Sequence, residues 1–149
     1  MYSQILIAVD GSELSERALT QGLTLGKALG SAVTVVTVME PPAMIGGTYG
    51  AFGSVGYDPI PELIESQKKQ SQEILTKAAA TASASGTEVK TLLVENSFPA
   101  EGIIAAAEDV KAELIVMASH GRRGFGRLLL GSQTSNVLAQ SKIPVLVTR

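Results

Sequence analysis

The 149-residue sequence predicts a single α/β domain, an open parallel sheet of five strands with helices on both faces. Two observations carry this. Five short runs rich in Val, Ile and Leu, at residues 5–9, 33–39, 89–94, 114–118 and 145–148, mostly lack the polar alternation of strands with one wet face. Between them lie segments whose apolar residues recur at helical spacing. Helical crossovers join parallel strands, whereas hairpins join antiparallel ones, so the alternation βαβαβαβαβ implies a parallel sheet.

Each helix has its own signals. Ser12 precedes a stretch with Leu14, Ala18, Leu25 and Leu29 that Gly30 closes. Pro61-Glu62 opens the second, in which Ile64, Ile74, Leu75, Ala78 and Ala82 share one side until Gly86. Pro99 stands near a first turn, where its missing N–H costs nothing, ahead of Ile103, Ile104 and Ala107. Ser132 precedes the last helix, which is expected to carry Val137, Leu138 and Ser141 and to end at Ile143, the residue before Pro144. Residues 41–61 break the rhythm. Five glycines there alternate with Tyr49, Phe52 and Tyr57 without a sustained period, which reads either as a mobile loop over a site or as an insertion without a role.

Composition excludes several functions. Twelve basic against fourteen acidic residues give a net charge of −2, and no basic run stands out, so neither nucleic acid nor an anionic membrane is an expected partner. The absence of Cys removes disulfides, thiolate catalysis and thiolate metal sites. Met1-Tyr2-Ser3-Gln4 has no basic segment ahead of a long apolar run, and no run reaches the roughly 18 residues of a membrane helix. A cytoplasmic protein is the expectation.

In open α/β sheets the ligand crevice lies beyond the carboxyl ends of the strands. Asp10-Gly11-Ser12 follows the first strand, and Ser119-His120-Gly121-Arg122-Arg123-Gly124 follows the fourth. Glycines at 121 and 124 let the backbone approach an anion or take positive φ. Gly131-Ser132-Gln133-Thr134 then presents free backbone N–H groups and two hydroxyls at a helix start, which carries about half a positive charge. Arg122, Arg123 and Arg127 add local positive charge. Two readings stand side by side: a phosphate-binding loop, or a turn with Ser132 as a plain N-cap. A Walker A loop is excluded, because no Gly-Lys pair is followed by Ser or Thr. Gly124-Phe125-Gly126 begins like a dinucleotide fingerprint, but Leu129 stands at its third glycine. His120 is the only histidine, which favours local hydrogen bonding over metal ligation.

The residues now on view resemble the universal stress protein family almost end to end. The opening Ile5-Leu6-Ile7-Ala8-Val9-Asp10-Gly11-Ser12, the segment Leu114-Ile115-Val116-Met117-Ala118-Ser119-His120-Gly121 and the closing Ile143-Pro144-Val145-Leu146-Val147 carry the likeness. Nucleotide-binding members of that family have G-x2-G-x9-G-[S/T]. Here Gly121, Gly131 and Ser132 match it, while Ala118 replaces the first glycine and adds one methyl.

The resemblance implies a Rossmann-like or flavodoxin-like sheet of order 3-2-1-4-5, with Asp10 and the 118–132 loop facing one crevice. It implies that Asp10 bonds ribose or adenine, and that the Val38 main chain meets the adenine edge. Ala118 and Gly121 would line the ribose and phosphate path, and Gly131, Ser132, Gln133 and Thr134 would cradle phosphates. Residue by residue, Asp10 also reads as a helix cap alongside Ser12, and Val38 as core.

The implied function is adenine-nucleotide binding, of ATP with Mg²⁺ bridging its phosphates, in a stress sensor or regulator. No base for water, no P-loop lysine and no second acidic residue for a metal are evident, so at most very slow hydrolysis is expected. The alternative is a nucleotide-independent homodimeric module with a purely structural glycine loop. A transferase of a related nucleotide class would need S-G-G-x-D-S or H-x-G-H, and neither occurs. The last strand, at a sheet edge in the family order, implies a homodimer through residues 145–148.

Overall fold

The computed structural model describes residues 1–42, 61–121 and 129–149. The chain runs β1 (Gln4–Ala8), α1 (Glu13–Leu29), β2 (Ala32–Val38), α2 (Pro61–Ala84), β3 (Val89–Val94), α3 (Pro99–Asp109), β4 (Leu114–Ala118), α4 (Ser132–Gln140) and β5 (Val145–Thr148). All strand pairs are parallel and the order is β3-β2-β1-β4-β5. Right-handed crossovers account for the layers. The first two move the chain outward from β1 to β3. The next two return past β1 and continue to β5, which places α1 and α2 on one face and α3 and α4 on the other.

The period of two along each strand divides the core accordingly. Ile5, Ile7 and Val9 pack with Leu19, Leu23, Leu75 and Ala78 under α1 and α2. Leu6 and Ala8 pack with Ile103, Ala106, Ala107 and Val137 under α3 and α4. A Cβ on Gly26 would stand 2.7 Å from Val33 Cγ2, and one on Gly22 would stand 2.6 Å from Ile7 Cδ1. These two glycines, one helical turn apart, let α1 lie close against the sheet.

Three expectations need correction. Only the inner strands are covered on both faces; β3 and β5, the edges that the expected order gives, leave Lys90, Thr91 and Leu146 exposed. Strand β1 ends at Ala8 and β2 at Val38, although Val9 N–H still bonds Val36 O at 2.9 Å and Met39 N–H bonds Val94 O at 2.7 Å. Helix α4 stops at Gln140, not Ile143: Ser141 is extended, with ψ 137°, and its Oγ accepts a hydrogen bond from Ile143 N–H at 3.0 Å. A local serine turn ends the helix before the proline restriction acts.

Candidate functional site

Between β1 and β4 the strand order reverses, and successive crossovers leave in opposite directions. A cleft of about 350 Å³ opens there, above the carboxyl ends of β1, β2 and β4. Asp10, Val38, Ala118, Gly121, Gly131, Ser132, Gln133 and Thr134 all line it.

The turn after β1 is built by three residues. Gly11 takes φ 81°, a left-handed conformation that side chains resist. That bend lets Asp10 Oδ1 accept the Ser12 N–H at 2.9 Å, while Ser12 caps α1 by accepting Ser15 N–H at 3.2 Å. Asp10 therefore organises the helix start and lines the cleft at once, so its two sequence readings are compatible. Its other oxygen faces Gly121: a Cβ on that glycine would lie 2.7 Å from Asp10 Oδ2. Gly121 does not take a positive φ, so space rather than backbone freedom selects glycine there.

The start of α4 is tied to the end of β4. Gly131, not Ser132, is the N-cap, and Ser132 is the first helical residue. Gly131 N–H bonds Ser119 O at 2.8 Å, and a Cβ on Gly131 would stand 3.1 Å from that same oxygen. Thr134 is buried and donates its hydroxyl hydrogen to Ala118 O at 2.9 Å. Gln133 Oε1 accepts the Ala100 N–H at 3.2 Å, satisfying the first turn of α3, whose N-cap Phe98 offers no side-chain bond. What Gln133 and Thr134 leave for the cleft is their main chain. Among the described residues, no acceptor is bonded to the backbone N–H of Ser132, Gln133 or Thr134.

Val38 supplies a second main-chain edge. Val36 bonds toward β1 and Met39 toward β3, so parity turns the N–H and C=O of Val38 toward the β1 side. Strand β1 has already ended there, and among the described residues no backbone bond joins Val38 to residues 9–10. Its side chain packs against Gly102 of α3, where a Cβ would stand 2.9 Å from both methyl carbons. Core packing and a cleft-facing backbone coexist in this residue.

His120 pairs Nδ1 with Ser119 Oγ at 3.1 Å, the local bonding its isolation suggested. Among the described residues, no group of three or more His, Cys, Asp or Glu is placed to hold a metal. A divalent cation fits this site only as the counter-ion of a phosphate chain, beside Asp10. The main-chain donors, by contrast, fit phosphate oxygens. The expectations for Arg122, Arg123 and Arg127, and nearly all of those for the 41–61 segment, lie outside the described residues.

The sequence reading missed one wall. Gln67, Gln70, Ser71 and Ile74 of α2 also line the cleft, with Gln67 Nε2 donating to Glu40 O at 3.1 Å. The signal was present: Gln67 and Ser71 continue the buried stripe of Leu75, Ala78 and Ala82 at helical spacing. Polar residues on a buried stripe mark a surface facing something other than core.

Fold and site together define an open, doubly wound α/β domain with Rossmann-like strand order and a main-chain-lined crevice at its switch point. The chain belongs to the universal stress protein family, whose model it matches over residues 1–149. It is 34% identical to the universal stress protein MJ0531 of Methanocaldococcus jannaschii, over all of this chain and 83% of that one. Among solved structures it resembles protein MJ0577 of the same organism, with TM-score 0.80, 28% identity and coverage of 99% and 96% of the two chains. It also resembles a universal stress protein solved in complex with cAMP, with TM-score 0.72, 25% identity and coverage of 99% and 97%. No helix among the described residues is long and apolar enough to cross a membrane.

Proposed function

We propose that this chain binds an adenine nucleotide, ATP with Mg²⁺ on its phosphates, in the switch-point cleft, and acts as a cytoplasmic stress regulator rather than a fast phosphotransferase. One observation carries the reading: three successive N–H groups, of Ser132, Gln133 and Thr134, which have no acceptor among the described residues, stand at a cleft of nucleotide size. The related protein whose structure holds cAMP supports the ligand class. In this arrangement the α4 terminus and the Ser132 hydroxyl hold phosphate oxygens, and Ala118 and Gly121 leave room for the ribose. Asp10 accepts from sugar hydroxyls, and the Val38 main chain meets the base. No residue in the described cleft is poised to orient water against a γ-phosphate, so turnover falls far below the ordinary enzymatic range of about 1 s⁻¹ and above.

The test is a thermal melt with and without ATP, on the native chain and on Ser132→Asp. Saturating ATP raises the melting temperature of the native chain. The variant keeps its stability, because an acidic residue in a first helical turn is favourable, yet its carboxylate repels the phosphates and the ATP shift disappears. A second reading has its own support. The Thr134 hydroxyl and the Gln133 amide are both engaged in folding contacts, as a nucleotide-independent module with a structural loop would have them. In that case ATP moves neither melt. Either reading accommodates a homodimer through residues 145–148, where edge strand β5 leaves Leu146 39% exposed.

A further inference from the structure

Gln67 holds an unmet acceptor beside the cleft. Its Nε2 donates to Glu40 O at 3.1 Å, and its Oε1 is shut off from solvent with no hydrogen-bond partner among the described residues. The amide orientation is fixed by chemistry, since exchanging N and O would set two acceptors against each other at that distance. A buried acceptor left without a donor is uncommon and calls for a cause. The residue lines the cleft together with Glu40 and Val38, at the carboxyl end of β2, so a small turn of its side chain would present Oε1 to a donor on a ligand held there.

We propose that Gln67 is a specificity-determining residue that reads the six position of a purine: Oε1 accepts a hydrogen from the exocyclic amine. This rests on the nucleotide reading above and deepens it. Adenine carries a donor at that position. Hypoxanthine and guanine carry a carbonyl oxygen, which would meet Oε1 acceptor to acceptor. Discrimination against the wrong base then arises from an unpaired, desolvated oxygen in the site as much as from the bond that adenine gains.

The experiment measures dissociation constants for ATP and inosine triphosphate on the native chain and on Gln67→Met, which preserves length and removes both amide atoms. The native chain is expected to favour ATP by about tenfold or more, the scale of one buried hydrogen bond. In the variant the ratio falls toward one, chiefly through weaker ATP binding, while its melting temperature without ligand does not drop. Should that variant fail to fold, Gln67→Ala, a strong helix former, carries the same comparison. A native ratio near one, or an unchanged ratio in a folded variant, overturns the proposal while leaving nucleotide binding intact. Failure of the native chain to bind either triphosphate overturns the nucleotide reading itself, and this proposal with it.

Discussion

At Thr134 and Gly121 the chemistry of folding and of binding separates cleanly. Thr134 sends its hydroxyl hydrogen to Ala118 O at 2.9 Å within the core. Thr134→Val keeps the shape and deletes the donor, so unfolding in urea is expected to show a loss of about 1–3 kcal/mol. The backbone N–H that faces the cleft is retained, so ATP affinity of the folded fraction changes little. Gly121→Ala does the opposite. Its methyl would sit 2.7 Å from Asp10 Oδ2, and a carboxylate on a short flexible stem yields at small cost to stability. The carboxylate is then displaced from the proposed ribose path, and ATP affinity is expected to fall while the melting temperature holds. A titration paired with a melt distinguishes the two variants. The place of Gly121 at the cleft was legible from its position after the fourth strand and from the family motif. The division of labour inside Thr134 was not, because a hydroxyl's partner is decided by which carbonyl the fold brings to it.

Among the elements, α1 shows packing overriding local preference. Gly26→Ala improves helix propensity by about 1 kcal/mol, yet its methyl meets Val33 Cγ2 at 2.7 Å, and β-branched Val33 cannot rotate away inside the sheet. Overpacking of this kind costs about 1–3 kcal/mol, so the variant is expected to be less stable by about 1 kcal/mol in denaturant titration. Strand β1 is anchored differently. Ser3 N–H donates to Glu113 Oε2 at 2.7 Å, and this bond holds the Glu113 carboxyl below its ordinary value of 4.5. A lowered folded-state pKa contributes stability that is complete above the ordinary carboxylate range and is lost as pH falls through the folded value. Glu113→Gln is therefore expected to lower the melting temperature slightly at neutral pH and to leave it unchanged in acid, where the native carboxyl is already protonated, so the acid limb flattens. The existence and type of every element among the described residues could be read from the sequence, since Val, Ile and Leu runs and capped amphipathic stretches are local signals. Ends were harder: the serine turn at Ser141 stops α4 ahead of Pro144, and it draws on a side chain that sequence periodicity does not weigh.

For the whole molecule, alternation of strands and helices fixes a parallel sheet but leaves several strand orders open. The order β3-β2-β1-β4-β5 was legible only through the family likeness. That order sets both proposed surfaces, since it brings Asp10 to Gly121 across the reversal and puts β5 on an edge. In the proposed dimer, light scattering at high micromolar concentration gives twice the monomer mass, and Leu146→Lys returns it to one. A native chain that stays monomeric contradicts the interface. The cleft wall from α2 escaped sequence reading because Gln67 stands far along the chain from the glycine loop, and only tertiary packing unites them. The most direct test of the account is an ATP titration followed through the backbone amide resonances. Saturable shifts, largest at Ser132, Gln133 and Thr134, are the expected result. Amides there that stay still while ATP is raised to millimolar levels would contradict the account.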